Sequence, residues 1–280
     1  INYGGGTTFT AVAAKKVYDN YALEFNAANQ NYTVLTDSIL PGAQNASVEL
    51  WVQNFENSAT PRTVLANQAA SGATSFFQLN LTNGIVNIML GNTNKAFGTT
   101  LATGYHHLVV NLKKNGASTD VTLYNNGAQV GAVQNYAVAL PNFSPQTWQL
   151  GARKSGASTY DQYFSGLIDG VAFYDTTLTP AQIQANLATG THATNPRLRS
   201  WFPLNESRGA TVEDIGPART GKGTIQGALW SSVTGISSVF DHEFQPQERL
   251  LTLNPSNTST DQVDFTDLST VAVSGYVRYD

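Results

Sequence analysis

Short stretches of alternating apolar and polar residues, recurring roughly every 10–20 positions, constrain this chain more than any other feature. In Ala46 to Val52 the apolar residues Val48, Leu50 and Val52 fall on one face. That period of two is what a strand with one face in a core requires. Comparable segments read as strands at 22–25, 32–35, 76–81, 85–90, 107–112, 121–124, 130–133, 148–151, 167–174 and 198–204. Turns rich in Gly, Asn and Ser separate them, and Asn125-Asn-Gly is a hairpin signal. No long amphipathic helices alternate with the strands, which excludes a parallel α/β sheet and leaves a β-sandwich or barrel. One short helix is expected near 180–188. Thr179 serves as its N-cap, Pro180 as its first residue, Ile183 and Leu187 share a face, and Gly190 can end it.

Composition narrows the functions open to such a fold. Among 280 residues only 12% are charged, the formal net charge is −4 and aromatics reach 10%. Low charge with many aromatics is not a disordered composition. A net-acidic chain without a long basic run is a poor nucleic-acid ligand. No uninterrupted apolar run approaches the roughly 18 residues of a membrane span. The absence of cysteine removes disulfides, thiolate nucleophiles and Cys-ligated metals. A large Cys-free β protein rich in Asn and Thr suits an exported bacterial protein. The sequons at Asn31, Asn45, Asn80, Asn142, Asn205 and Asn257 follow from the abundance of Asn and are not read as glycosylation.

Four segments are expected. Residues 1–20, with Gly4-Gly-Gly, read as a linker and short strand. Residues 21–232 form the β domain. Residues 233–270, with Pro246, Pro255 and the polar run Asn254 to Gln262, read as a second linker. Residues 271–280 read as the truncated first strand of a following β module, similar to a carboxypeptidase-regulatory-like or Ig-like one. Both ends look cut, so the chain reads as a fragment of a longer protein.

Five pieces stand out along the chain. They are Ala22-Leu-Glu-Phe-Asn with Tyr32-Thr-Val, and Val48-Glu-Leu-Trp-Val. Next comes Gly104-Tyr-His-His-Leu-Val-Val with Val121-Thr-Leu-Tyr-Asn-Asn-Gly. Then follow Phe164-Ser-Gly-Leu-Ile-Asp-Gly-Val-Ala-Phe-Tyr-Asp with Leu178-Thr-Pro-Ala-Gln-Ile, and Leu198-Arg-Ser-Trp-Phe-Pro-Leu-Asn-Glu with Gly227-Ala-Leu-Trp. In this order the five pieces resemble the laminin-G-like (concanavalin A-like, pentraxin-type) jelly rolls of large bacterial surface proteins, with Tyr105 where that family usually has Trp and Gly170 where it usually has Glu. The resemblance covers roughly residues 9–232 and implies an all-β, two-sheet antiparallel jelly-roll sandwich; residues 195–232 either close it or open a second one, and closure is favoured because too few residues follow for a second full copy.

The resemblance also implies that Asp169 helps hold a structural Ca2+, together with main-chain carbonyls near the first strand. An Asp in an otherwise apolar strand needs some partner, and backbone amides or an Arg are the alternative. On geometry alone, Glu24 and Asn26 are possible co-ligands. His106 and His107 are adjacent on a strand, point to opposite faces and cannot share one ion. A glycosidase needs two facing carboxylates. No Glu-x-Asp-x-x-Glu strand is present among the 19 acidic residues, and Glu213-Asp214 and Asp241-x-Glu243 lie in turn and linker contexts. Neither a nucleophile elbow nor a P-loop is found, so no enzymatic activity is expected. For ligand binding the loop Ser155 to Tyr163 stands out, with Tyr160, Asp161 and Tyr163 able to stack on and hydrogen-bond to a sugar. The alternative is a connecting loop whose tyrosines cap the core. Trp51, Trp148, Trp201 and Trp230 sit in strand contexts and read as core.

These readings lead to a non-catalytic adhesion or recognition module of a secreted or cell-surface bacterial protein. It would bind a glycan or another cell-surface ligand and adjoin further β modules. The alternatives are a structural spacer or assembly subunit of a surface filament, and the carbohydrate-binding module of a polysaccharide-degrading enzyme.

Overall fold

The computed structural model describes residues 21–35, 39–68, 76–101, 103–143, 146–189, 195–217 and 221–232. The expected linkers and end strands at 1–20 and 233–280 lie outside them. The chain opens with β1 (Tyr21–Phe25), β2 (Tyr32–Leu35), β3 (Asn45–Asn54), β4 (Arg62–Asn67), β5 (Phe77–Thr82) and β6 (Ile85–Leu90). It continues through β7 (Thr93–Thr100), β8 (Tyr105–Asn115), β9 (Ser118–Asn125), β10 (Ala128–Tyr136) and β11 (Trp148–Leu150). After β12 (Arg153–Lys154), β13 (Tyr160–Asp161) and β14 (Gly166–Tyr174) comes α1 (Pro180–Thr189). The last strands are β15 (Leu198–Phe202), β16 (Thr211–Glu213), β17 (Lys222–Gln226) and β18 (Leu229–Ser232).

Two antiparallel eight-stranded sheets form the sandwich, confirming the all-β jelly-roll expectation. The first has the order β10-β9-β8-β3-β14-β1-β18, with β15 also pairing β14; the second runs β16-β17-β2-β11-β4-β5-β6-β7. The alternation seen in sequence decides what meets between them. Leu50, Val52, Val110, Ile168 and Phe173 come from the first sheet, and Leu79, Ile88 and Leu150 from the second. Trp148, wholly buried, links the layers: its ring lies 4.7 Å from Phe173 and 5.8 Å from Phe77.

The expected hairpin and helix form as their chemistry dictates. Asn126 (φ 49°) and Gly127 (φ 78°) turn β9 into β10 with two positive φ angles, as a type I′ turn requires. Thr179 and Gln182 make a capping box: Gln182 N–H donates to Thr179 Oγ1 at 3.3 Å, and Thr179 N–H donates to Gln182 Oε1 at 2.9 Å. The helix covers a polar cluster on the outer face of the first sheet. There Glu49 accepts from Asn186 (2.8 Å) and Tyr174 (3.1 Å) and meets His107 Nε2 at 2.6 Å. His106 instead contacts Asn125 through Nδ1 at 3.1 Å, so the two histidines have separate partners.

Strands β4 and β7 were not foreseen. β4 carries a register shift between Thr63 and Leu65 that breaks the period of two, and β7 is a largely polar edge strand. The segment after α1 contributes to both layers: β15 pairs β14, β18 pairs β1 and β17 pairs β2. Among the described residues no helix is long and apolar enough to cross a membrane.

Candidate functional site

The connection from β11 to β14 crosses from one sheet to the other and carries the loop singled out in the sequence. β12 and β13 form a two-rung hairpin, pairing Arg153 with Asp161 and Lys154 with Tyr160. A fork of two hydrogen bonds locks the first rung, from Arg153 Nε to Asp161 Oδ1 (2.8 Å) and from Nη2 to Oδ2 (2.6 Å). Asp161 is thus committed to Arg153. Gln162 then takes a left-handed conformation (φ 53°) and is fastened to the second sheet. Its main-chain oxygen accepts from Thr63 N–H at 2.7 Å, while its side-chain oxygen accepts from Thr63 Oγ1 and Gln78 Nε2.

This anchoring brings Tyr160 and Tyr163 against a third aromatic. Leu35 faces the core, so by alternation Thr33 does too, and Tyr32 points outward from β2. The rings of Tyr32 and Tyr160 stack at 4.0 Å with 24° between their planes, and Tyr163 lies 6.4 Å from Tyr32, tilted by 44°. All three are only partly buried. Burial, followed by the neighbouring phenols, raises the pKa of Tyr160 above its ordinary value. Tyr163 is raised by burial, then by Tyr32 and Asp161. Tyr160 and Tyr163 therefore stay neutral, and with Tyr32 they offer apolar ring faces beside hydroxyl groups. The sequence reading found Tyr160, Asp161 and Tyr163 and missed Tyr32, Arg153 and Gln162. Tyr32 lies more than 120 positions away along the chain, and only the pairing of β2 with β11 brings it near.

Asp169 lies across the core, on the outer face of the first sheet. It is fully buried beside Trp51, its cross-strand partner. Gly170, at φ 56° within a register shift, takes a conformation that the usual Glu would resist. Asp169 Oδ1 accepts from Gly170 N–H at 2.8 Å, while Oδ2 has no partner. The buried Tyr105 hydroxyl is likewise unpartnered. Burial pushes the Asp169 carboxyl well above the usual range, partly opposed by Gly170 N–H and reinforced by Glu206. Glu24 shares this face, because it pairs with Leu167 two residues from Asp169. Asn26 does not join it: its Oδ1 accepts from Ala28 N–H and caps a short turn. Among the described residues no three His, Cys, Asp or Glu side chains gather as a metal cage. A cation here would find one side-chain anchor, Asp169 Oδ2, against the six to eight oxygens that calcium takes.

The sequence profile described as the concanavalin A-like lectin/glucanases superfamily matches residues 27–184, more than half of the chain. No curated protein sequence matches. Among solved structures, one similar protein comes from Bacteroides ovatus and is named for carbohydrate binding. It superposes with a TM-score of 0.60 at 15% identity over 77% of this chain, which spans 60% of that protein's length. A heptameric SAP-like pentraxin from Limulus polyphemus gives 0.53 at 12% identity, over 75% of this chain and 97% of the pentraxin. At these identities the likeness is one of fold.

Proposed function

This chain belongs to the concanavalin A-like lectin/glucanases superfamily, and from that premise we propose that it is a non-catalytic carbohydrate-binding module of an exported, multi-domain protein. The observation that carries the reading is the group of Tyr32, Tyr160 and Tyr163, partly exposed and packed ring against ring on one rim of the sandwich. A pyranose or furanose ring has a face of C–H groups that packs on an aromatic ring, and an edge of hydroxyls that needs polar partners. The group offers both. Its nearby carboxylate, Asp161, is held by Arg153, so it shapes the hairpin instead of attacking a glycosidic bond. The carbohydrate-binding name of the Bacteroides ovatus protein agrees with this reading.

Calcium enters the proposal as a structural ion. Asp169 would be its side-chain ligand, and the ion would supply positive charge to a buried acidic site on the sheet opposite the tyrosines.

The test is a glycan array probed with the chain and with Tyr160→Ala and Tyr163→Ala. Selective binding is expected, with each variant weaker by about tenfold, the equivalent of roughly 1.4 kcal/mol. Glycan binding that both variants retain in full would place the site elsewhere, and absence of binding would overturn the proposal.

A further inference from the structure

Phe55 departs from the other phenylalanines among the described residues. Phe25, Phe76, Phe77, Phe97, Phe143, Phe164, Phe173 and Phe202 are all buried, while Phe55 is 52% exposed. A single exposed apolar side chain is ordinary on a protein surface, and Val133 and Leu229 are exposed too, so what matters for Phe55 is where it stands. Its position is fixed by Ser165, the junction of three loops: Phe55 N–H donates to Ser165 O at 3.1 Å, and Ala27 N–H donates to Ser165 Oγ at 3.0 Å. Ser165 is two residues from Tyr163, and the loop from Asn26 to Asn31 leads into Tyr32. Phe55 therefore stands on the same rim of the sandwich as the three tyrosines.

The charges on this rim cancel locally. Arg153 is paired with Asp161, and Arg62 Nε lies 2.5 Å from Glu56 Oε1. An anion brought to either arginine would also meet the carboxylate already there, at comparable distance and of opposite effect. The remaining groups are amides and hydroxyls, from Asn57, Ser58, Thr60 and Gln162. Lys154, across the hairpin from Tyr160, adds one positive charge.

We infer that this rim binds an uncharged oligosaccharide several sugars long, laid from the Tyr32–Tyr160–Tyr163 group to Phe55, with Phe55 as a second stacking platform. The inference rests on the carbohydrate-binding reading above and specifies its ligand class. A single sugar covers one platform, so affinity should grow with chain length until both are occupied.

Titration calorimetry tests this with neutral gluco-, xylo-, manno-, galacto- and arabino-oligosaccharides of one to six units, alongside oligogalacturonate and sialyllactose. The expected result is a neutral series in which affinity rises about tenfold or more between the disaccharide and the longer members. Phe55→Ala should abolish that rise and leave the disaccharide unchanged. Lys154→Gln and an increase in salt should change nothing, since surface charge steering is what salt screens. Equal affinity for short and long chains, an inert Phe55→Ala, or a preference for acidic chains lost in Lys154→Gln would each overturn the inference. If Tyr160→Ala abolishes binding while Phe55→Ala does not, the inference fails and the carbohydrate site stands. If both variants bind like the parent, or no chain binds, both readings fail.

Discussion

Asp169 is the residue whose burial and chemistry conflict most openly. A carboxylate with one unpartnered oxygen, no exposure and another acid, Glu206, acting on it must hold a proton or face a cation. The two outcomes separate by pH. Burial raises the folded-state pKa above the unfolded value, so in EDTA this group's stabilising contribution is complete below about pH 3.9. It drains away as pH climbs through the raised folded value. Thermal melts in EDTA should therefore fall between acid and neutral pH more steeply for the parent than for Asp169→Asn. With calcium at a hundred times its dissociation constant, the parent should gain roughly 2.7 kcal/mol at neutral pH and Asp169→Asn should gain little. Equal calcium responses would remove Asp169 from the metal site. The sequence made this residue visible because an acid interrupts the run Leu167, Ile168, Val171. Tyr105 and Glu206 stayed hidden, since nothing local marks a hydroxyl left unpartnered, or a second acid brought near, only by the fold.

At the scale of elements, α1 is held by what it covers. Glu49→Ala would leave His107, Tyr174 and Asn186 without their shared acceptor in a buried site, with an expected loss of about 3–5 kcal/mol in urea denaturation. Asn186→Ala, which removes one hydrogen-bonding partner, should lose only about 1 kcal/mol. The hairpin turn is coupled to the same helix. A Cβ on Gly127 would stand 2.5 Å from Gln184 Nε2 and 2.9 Å from Leu187 Cδ2, and Gln184 also donates to Gly127 O. Gly127→Ala should therefore strain the turn and displace α1 together, reading as at least about 1 kcal/mol in the same denaturation assay. Strands with clean alternation, such as β3, and capped or Gly-turned elements, such as α1 and the β9–β10 hairpin, were legible because their determinants are local. β4 was not, because its bulge breaks the period, nor were the two-residue strands β12 and β13, too short to carry one.

Across the whole molecule, the two outer faces of the sandwich carry different chemistry. Sheets pack about 10 Å apart, so an ion at Asp169 sits on one side of the core while Tyr32, with Tyr160 and Tyr163 against it, projects from the other sheet. Carbohydrate binding should therefore persist after chelation at a temperature where the fold remains intact, measured on the same glycan array in EDTA; loss of binding without loss of fold would join the two sites. The strand order has a further consequence for how such a chain is made. β1 lies between β14 and β18, and β2 between β11 and β17, so the first described strands take partners from the far end of the domain. Synthesis releases the chain in order. The earliest strands must therefore leave the ribosome with open edges, and both sheets can close only once residue 232 has emerged, which makes this a domain that folds as a whole and not strand by strand as it is synthesised.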